Sequence, residues 1–125
     1  MCIILIAEDE KDIRDNLVHF LNDEGYKVFI TRNGLEAYQT ILNIQPDIIL
    51  SDVNMPIMDG LEFFKRIKAN PNTNSIPFIF LSAENKLEKY EEISDGDINF
   101  ISKPFCFVDL LTVIKNSIKK KNYKN

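Results

Sequence analysis

Acidic residues stand at the ends of two apolar segments of this sequence. Glu8 and Asp9 follow the apolar run that begins at Ile3, and Asp52 follows the run at residues 48–51. Carboxylate oxygens suit Mg²⁺ where room is left for water, and one carboxylate can also attack phosphorus to form an aspartyl phosphate. The residue types therefore indicate a magnesium site that includes a nucleophilic carboxylate.

Two more polar residues end later apolar segments. Ser82 follows residues 78–81, and Lys103 comes soon after residues 98–101. A serine hydroxyl could donate a hydrogen bond to one phosphoryl oxygen, and a lysine ammonium could pair with another. The only histidine, His19, falls inside the first predicted helix, which disfavours a zinc site.

Each of these residues could have a purely structural role instead. Glu8 and Asp9 could cap the first helix, Ser82 could cap the fourth helix, and Asp52 could be a loop residue. Lys103 could be an ordinary surface lysine. It is less plausible that all of these roles hold together, because the residues end four different apolar segments.

Strands and helices that could position these residues alternate along the chain. Apolar runs and helical spacings predict an α/β fold with five strands, five helices and a doubly wound parallel sheet. The predicted strands cover residues 3–7, 27–31, 47–51, 78–81 and 98–101. The predicted helices run through residues 13–21, 35–42, 61–67, 86–93 and 107–118, with Asn33 as a cap of the second.

The carboxyl ends of parallel strands form the functional crevice of such a sheet. The carboxylates, the hydroxyl and the ammonium are therefore expected to gather at one edge. Carboxylates that lie close together repel one another unless a cation neutralises them, which again favours Mg²⁺.

Length and composition limit the classes of protein. The 125 residues, 45% of them hydrophobic, predict a single domain over residues 1–125. A net charge of -4 argues against direct nucleic-acid binding. Cys2 and Cys106 have no metal-binding spacing, and no apolar run is long enough for a membrane span or a signal peptide, so a cytoplasmic location is expected.

Four short motifs follow one another over nearly the whole chain. They are AEDE at residues 7–10, SDVNMPIMDG at 51–60, LSA at 81–83 and KPF at 103–105. Together they resemble the receiver domains of response regulators in two-component signalling, including the chemotaxis regulators. The resemblance implies the flavodoxin-like strand order 2-1-3-4-5.

The resemblance also implies roles for the acidic residues. Asp52 is implied to be the phosphoacceptor. Glu8, Asp9 and Asp52, with the backbone carbonyl of Asn54, are implied to hold Mg²⁺. The side chains of Asn54 and Glu84 are implied to border the path of the hydrolytic water and so to tune dephosphorylation.

Further roles are implied for the residues of the later strands. Lys103 is implied to bind the phosphoryl group, and the bond between Lys103 and Pro104 to be cis. Ser82 is the implied switch hydroxyl and Phe100 the implied switch aromatic. Phosphorylation is expected to change the surface of the fourth helix, the fifth strand and the fifth helix.

The implied function is a signalling switch, not an enzyme beyond its own phosphorylation and dephosphorylation. Its partners would be a histidine kinase or phosphotransfer protein and a downstream protein, without direct nucleic-acid or membrane contact, and it would be a monomer or weak homodimer. The chain would be a stand-alone receiver or a piece of a larger regulator or hybrid kinase. It departs from the family pattern where Ser82 to Gly96 is one residue short and where Asp97 replaces a small apolar residue.

Two other functions remain as alternatives. A phosphatase with an aspartyl nucleophile typically needs a second acid two residues later, where this chain has Asn54. A flavodoxin-like electron carrier would need a phosphate-binding loop after the first strand, where Glu8, Asp9 and Glu10 would repel phosphate.

Overall fold

Strands and helices alternate in the order that the sequence predicts. The computed structural model describes residues 2–83 and 98–123. The strands are β1 (Ile3–Ala7), β2 (Lys27–Thr31), β3 (Ile48–Asp52), β4 (Phe78–Ala83) and β5 (Ile98–Lys103). The helices are α1 (Lys11–Asp23), α2 (Gly34–Asn43), α3 (Gly60–Ala69) and α4 (Phe107–Tyr123).

Four of the five predicted helices fall in the described residues, and α4 is the predicted fifth. The predicted fourth helix, from Lys86 to Ile93, lies outside the described residues, and so do Glu84 and the Gly96-Asp97 departure.

Three strands have bounds that differ from the prediction. Strand β3 runs from Ile48 to Asp52, one residue later than expected, and β4 and β5 each run two residues further. The ladder between β4 and β5 continues through Ser82 opposite Ser102 and Ala83 opposite Lys103. Backbone hydrogen bonds extend these strands through polar residues, which a search for apolar runs does not detect.

The sheet is entirely parallel and has the order β2-β1-β3-β4-β5, which confirms the expected topology. Strand β3 lies at its centre, and all five of its residues are buried. Parallel strands need crossover connections, so the helices cover both faces and the carboxyl ends of all five strands meet at one edge.

Alternate residues of the central strands pack into two separate core layers. Ile4 and Ile6 of β1 pack with apolar residues of α1 and α4, whereas Leu5 and Ala7 pack with those of α2 and α3. This alternation is the period-two geometry of a strand covered on both faces. A central strand fixed in this way from both sides is a rigid base for a side chain at its carboxyl end.

Helix α4 is attached to the edge strand by a polar contact as well as by its apolar residues. Asn99 Nδ2 of β5 donates to Ser117 Oγ of α4 at 3.0 Å. Leu110 and Ile114 of α4 are fully buried, and Lys119 and Lys120 near its end are exposed. None of the helices in the described ranges has the length and apolarity needed to cross a bilayer.

Helix caps test the alternative roles of the acidic residues. The Asn33 side chain accepts from the backbone N–H of Glu36 at 2.8 Å, which confirms the predicted cap of α2. Glu10 is the N-cap residue of α1 and makes no side-chain cap hydrogen bond. Glu8 and Asp9 therefore do not cap α1, and that structural explanation of the acidic pair is wrong.

The loop between β3 and α3 contains a strained turn at Ile57. Its φ is +70°, and the Met58 N–H donates to the Pro56 carbonyl at 2.7 Å. This is a γ-turn of the rare type with positive φ, a conformation that a β-branched residue adopts at a cost. Ile57 is 79% exposed, so packing does not offset that cost.

The variant Ile57→Gly is expected to be more stable than the unmodified protein. Removing the strain of the positive φ should raise the free energy of unfolding by ~1–2 kcal/mol. Glycine's greater freedom in the unfolded chain should lower it by ~0.5–1 kcal/mol, so the net gain is up to about 1 kcal/mol. Urea denaturation would measure it. Ile57→Ala, which keeps a Cβ atom, should show little gain, and a loss of stability in Ile57→Gly would contradict the strain.

Candidate functional site

The carboxyl edge of the sheet brings three carboxylates together. Asp52 is the last residue of β3, and Glu8 and Asp9 directly follow β1, its neighbour in the sheet. Carboxylate oxygens from the three residues lie within 4.8 Å of one another. We call Glu8, Asp9 and Asp52 the acidic cluster.

Lys103 joins the acidic cluster from the end of β5. Its Nζ donates to Glu8 Oε1 at 2.7 Å and lies 3.2 Å from Asp52 Oδ2. The side chain is 18% exposed. Burial by itself lowers the pKa of the Lys103 ammonium, but the hydrogen bond to Glu8 and the charge of Asp52 outweigh burial and raise it. Lys103 therefore remains a cation between two acids.

Glu8 is the fully buried member of the acidic cluster. Burial, which is the largest cause, and the hydrogen bond with Asp52 together raise the pKa of its carboxyl to about 8, against the opposing effect of Lys103. Glu8 Oε2 has no hydrogen-bond partner among the described residues. When Glu8 is ionised, this buried oxygen therefore lacks the donor or cation that a buried charge requires.

Asp52 is held by the backbone of its own strand. Its side chain is 12% exposed, and Oδ1 accepts from the backbone N–H of Val53 at 2.7 Å. Gly60, the first residue of α3, packs directly against the end of β3 and donates its N–H to the Val53 carbonyl at 2.8 Å. The carboxylate thus sits at the end of a buried strand, and only a small part of it reaches solvent.

The acidic cluster fits Mg²⁺ by the chemistry of its donors. It offers carboxylate oxygens from three residues, of which Glu8 is fully buried, Asp52 almost fully buried and Asp9 exposed. Hard oxygen donors beside an open position suit a cation that keeps several waters. Such a cation would also compensate the buried charge of Glu8 that Lys103 only partly neutralises.

The other predicted site residues lie near the same edge. Ser82 is buried in β4, one residue beyond Leu81, which pairs with Asp52. Asn54 is exposed two residues after Asp52. The bond between Lys103 and Pro104 is cis, the geometry that the resemblance implies.

Phe100 lies on β5 and is half-buried. Its ring stacks on that of Phe80 with centroids 5.4 Å apart and an interplanar angle of 17°. Phe80 belongs to the core layer beneath α2 and α3. The predicted switch aromatic is therefore in contact with the core on one side of its ring, while part of its surface remains exposed.

Sequence reasoning missed one residue beside the acidic cluster. Arg14 of α1 is buried and donates from Nη1 to the backbone carbonyls of Glu8 and Asp9. The signal was available, because Arg14 precedes Leu17 and Leu21 by three and seven residues. That spacing places an arginine on the buried face of the helix.

Comparison with known proteins identifies the family. The model of the response regulator receiver domain matches residues 4–115. Sporulation initiation phosphotransferase F of Bacillus subtilis is 32% identical over 120 residues, which cover 95% of each chain. A probable transcriptional regulator of Porphyra purpurea is 33% identical over 116 residues, which cover 92% of this chain and 56% of that protein.

Solved structures show the same similarity. The signal receiver domain of a histidine kinase from Syntrophus aciditrophicus has a TM-score of 0.87 and 33% identity, covering 96% of this chain and 92% of that one. The chemotaxis response regulator CheY4 of Vibrio cholerae has a TM-score of 0.85 and 33% identity, covering 94% of this chain and 98% of that one.

The relatives differ in length. This chain spans about half of several of them, such as the probable transcriptional regulators of Pyropia yezoensis and Porphyra purpurea, of which it covers 53% and 56%. Receiver domains act in phosphorylation-dependent two-component signalling, bind Mg²⁺ in an acidic pocket, and interact with histidine kinases or phosphotransfer proteins and with downstream effectors. The match of the family model and the similarity to these relatives show that this chain belongs to the response regulator receiver domain family.

Proposed function

We propose that this protein is a signalling switch that accepts a phosphoryl group on Asp52. The observation that carries the proposal is the geometry around this carboxylate. It ends the central strand, lies 3.2 Å from the Lys103 ammonium, and has carboxylate oxygens of Glu8 and Asp9 within 4.8 Å. A nucleophile beside a fixed cation, with two further acids that would hold Mg²⁺, is suited to an incoming phosphoryl group that carries its own negative charge.

The transfer is a displacement at phosphorus. A carboxylate oxygen of Asp52 attacks the phosphorus atom of a phosphohistidine on a kinase or phosphotransfer protein. The new O–P bond forms as the P–N bond breaks, and the imidazole leaves with the electron pair and takes up a proton. With a small donor such as acetyl phosphate, a P–O bond breaks instead and acetate leaves.

The residues around Asp52 have separate tasks in this transfer. Glu8, Asp9, Asp52 and the Asn54 carbonyl would hold Mg²⁺, which when bound supplies neutralisation of charge on the phosphoryl oxygens. The Lys103 ammonium is close enough to move from Asp52 to a phosphoryl oxygen, and the Ser82 hydroxyl would donate to another. The side chain of Asn54 would border the path of the water that later hydrolyses the acyl phosphate.

Phosphorylation would change the surface that includes β5 and α4. A phosphoryl group offers the Ser82 hydroxyl a new acceptor, and movement of Ser82 makes space beside β4. Phe100 can then bury the exposed part of its ring, a change worth at most ~1.5–3 kcal/mol. This magnitude suits two states separated by a few kcal/mol, so the partner would recognise β5, α4 and the predicted fourth helix in one state only.

The lengths and names of the relatives support two contexts for the switch. The phosphotransferase from Bacillus subtilis matches over 95% of its length, which supports phosphoryl relay by a receiver of this size. The longer relatives named as transcriptional regulators support control of an attached or separate output. Neither the phosphatase nor the electron carrier gains support from these relatives.

A metal titration tests the acidic cluster within this proposal. Asp9→Ala is expected to weaken Mg²⁺ binding at least ~10-fold, which is the smallest typical cost of disturbing even an outer-shell partner of a metal. Uptake of phosphoryl from acetyl phosphate, followed by intact-protein mass spectrometry, should slow in the same variant. Calorimetry or NMR shifts would measure the Mg²⁺ affinity.

Asp12→Ala is the matched control, because it removes the same charge from an exposed position on the first turn of α1. It should leave both quantities nearly unchanged. An Asp9→Ala protein that binds Mg²⁺ as tightly as the unmodified protein would remove Asp9 from the site.

A further inference from the structure

We propose that Arg14 is a positioning residue that sets the direction of the Asp9 carboxylate towards Mg²⁺. This inference rests on the proposed metal site. Arg14 is 8% exposed and lies one turn into α1, away from the solvent face of that helix. Within the described part of the chain, its guanidinium pairs with no carboxylate. A buried guanidinium held only by backbone carbonyls requires an explanation.

The two carbonyls that Arg14 binds lie on either side of one residue. Nη1 donates to the carbonyls of Glu8 and Asp9, both at 3.0 Å. The first carbonyl belongs to the peptide unit that precedes the Asp9 Cα atom, and the second to the unit that follows it. A single nitrogen with two N–H groups therefore fixes both peptide planes beside Asp9, and with them the direction of its Cβ atom.

Asp9 needs such a constraint more than the other acids do. Glu8 is buried and bound by Lys103, and Asp52 is held by its strand and by the Val53 N–H. Asp9 lies beyond the last residue of β1, and its side chain is exposed and has no hydrogen bond to a described residue. Outer-shell partners of this kind orient metal ligands and typically alter affinity ~10–100-fold.

When Arg14 is replaced, the loss of its charge and the loss of its two hydrogen bonds should change the Mg²⁺ affinity in opposite directions. Loss of a nearby positive charge alone would make the acidic cluster more attractive to Mg²⁺. Loss of the two hydrogen bonds would let the peptide units beside Asp9 rotate, and binding would then have to order them again. Positioning therefore predicts weaker Mg²⁺ binding in a neutral variant, against the electrostatic trend.

The test compares Mg²⁺ affinity in Arg14→Met, Arg14→Lys and Arg32→Met, each at a temperature where circular dichroism shows it folded. Arg14→Met, which keeps an unbranched apolar stem and removes the donors, should bind Mg²⁺ at least ~10-fold more weakly. Arg14→Lys, which keeps the charge and N–H donors, should recover part of the loss. Arg32→Met removes the same charge from an exposed residue just after β2, at the same sheet edge, and should not weaken binding.

A second measurement needs no metal. Nitrogen-15 relaxation of the metal-free protein reports the order of the Asp9 and Glu10 amides, which belong to the two peptide units that Arg14 holds. These amides should lose order in Arg14→Met and keep it in Arg32→Met. If Arg14→Met does not fold, Arg14→Lys must by itself show weaker Mg²⁺ binding and lower order than the unmodified protein.

The outcomes separate this inference from the function on which it rests. Equal or tighter Mg²⁺ binding by Arg14→Met, in a protein whose unmodified form binds Mg²⁺, would overturn the role of Arg14 and leave the metal site intact. Failure of the unmodified protein to bind Mg²⁺ would overturn the metal site, and the role of Arg14 with it. If the Asp9 and Glu10 amides remain as ordered in Arg14→Met as in the unmodified protein, the positioning role of Arg14 is also contradicted.

Discussion

The variant Asp52→Asn is expected to take up no phosphoryl group from acetyl phosphate in the presence of Mg²⁺. The unmodified protein should gain one group, stable in acid and labile in base as an acyl phosphate is. The amide of asparagine is a poor nucleophile and carries no charge for Mg²⁺ or for the Lys103 ammonium 3.2 Å from Asp52 Oδ2. Intact-protein mass spectrometry under matched conditions would measure the difference.

Asp59→Asn is the control for this experiment. Asp59 caps α3 by accepting from the Glu62 N–H at 2.9 Å, and asparagine caps helices equally well. The control therefore makes the same chemical change seven residues from the acceptor and should be phosphorylated normally. Equal labelling of Asp52→Asn and the unmodified protein would show that another residue is the acceptor.

The variant Gly60→Ala is expected to lose both stability and phosphorylation. A Cβ atom at Gly60 would lie 2.1 Å from the Asp52 carbonyl oxygen and 3.0 Å from both the Asp52 carbonyl carbon and the Val53 Cα atom. All three are backbone atoms, so no side-chain rotation can relieve the overlap. Helix α3 must move away from β3, at a cost of ~3 kcal/mol or more, the upper end for overpacking.

The movement of α3 should slow phosphorylation of Asp52 as well as destabilise the fold. The end of β3 that Gly60 contacts carries the Asp52 carboxylate, and a displacement of about 1 Å can slow a positioned reaction ~100-fold. Urea denaturation would give the free energy of unfolding. The rate of phosphoryl uptake would be measured at a temperature where the variant remains folded.

Gly25→Ala separates the two effects. Gly25 has a φ of +93°, and a Cβ atom there would meet nothing within 4 Å. Alanine should cost ~1–2 kcal/mol of stability through the left-handed backbone alone. Because Gly25 follows α1 at the opposite edge of the sheet, its variant should be phosphorylated normally when folded. If Gly60→Ala is as stable as Gly25→Ala or more stable, the close packing of α3 against the end of β3 is contradicted.

The strands and the gathering of site residues could be predicted from local patterns. The bounds of β1, an unbroken apolar run, and of β2, an apolar stretch between Lys27 and Thr31, were predicted correctly, and Asn33 caps α2 as expected. The edge at which the acids meet followed from the parallel sheet, because parallel strands end on the same side. The ends of β4 and β5 were missed because the ladder continues through polar residues that carry no apolar signal.

Some features of the site could not be predicted, since they depend on what packs against each side chain. Glu8 and Asp9 are neighbours in the chain, yet one is buried and the other exposed. The raised pKa of Glu8 follows from that burial and from Asp52, which lies on another strand. The hydrogen bonds of Arg14 to the Glu8 and Asp9 carbonyls depend equally on the position of α1 over the end of β1.

The α/β fold, the family, and the acids, hydroxyl and ammonium at the strand ends are all predictable from the sequence, because periodicity and residue type are local properties. The fact that one ammonium reaches two carboxylates follows only from the packing of the strands, which brings Lys103 Nζ within 2.7 Å of Glu8 Oε1 across 95 residues of chain. The same packing places Gly60 directly against the Asp52 carbonyl. Contacts of this kind join distant segments, and their distances are set by how strands and helices pack, which no local pattern encodes.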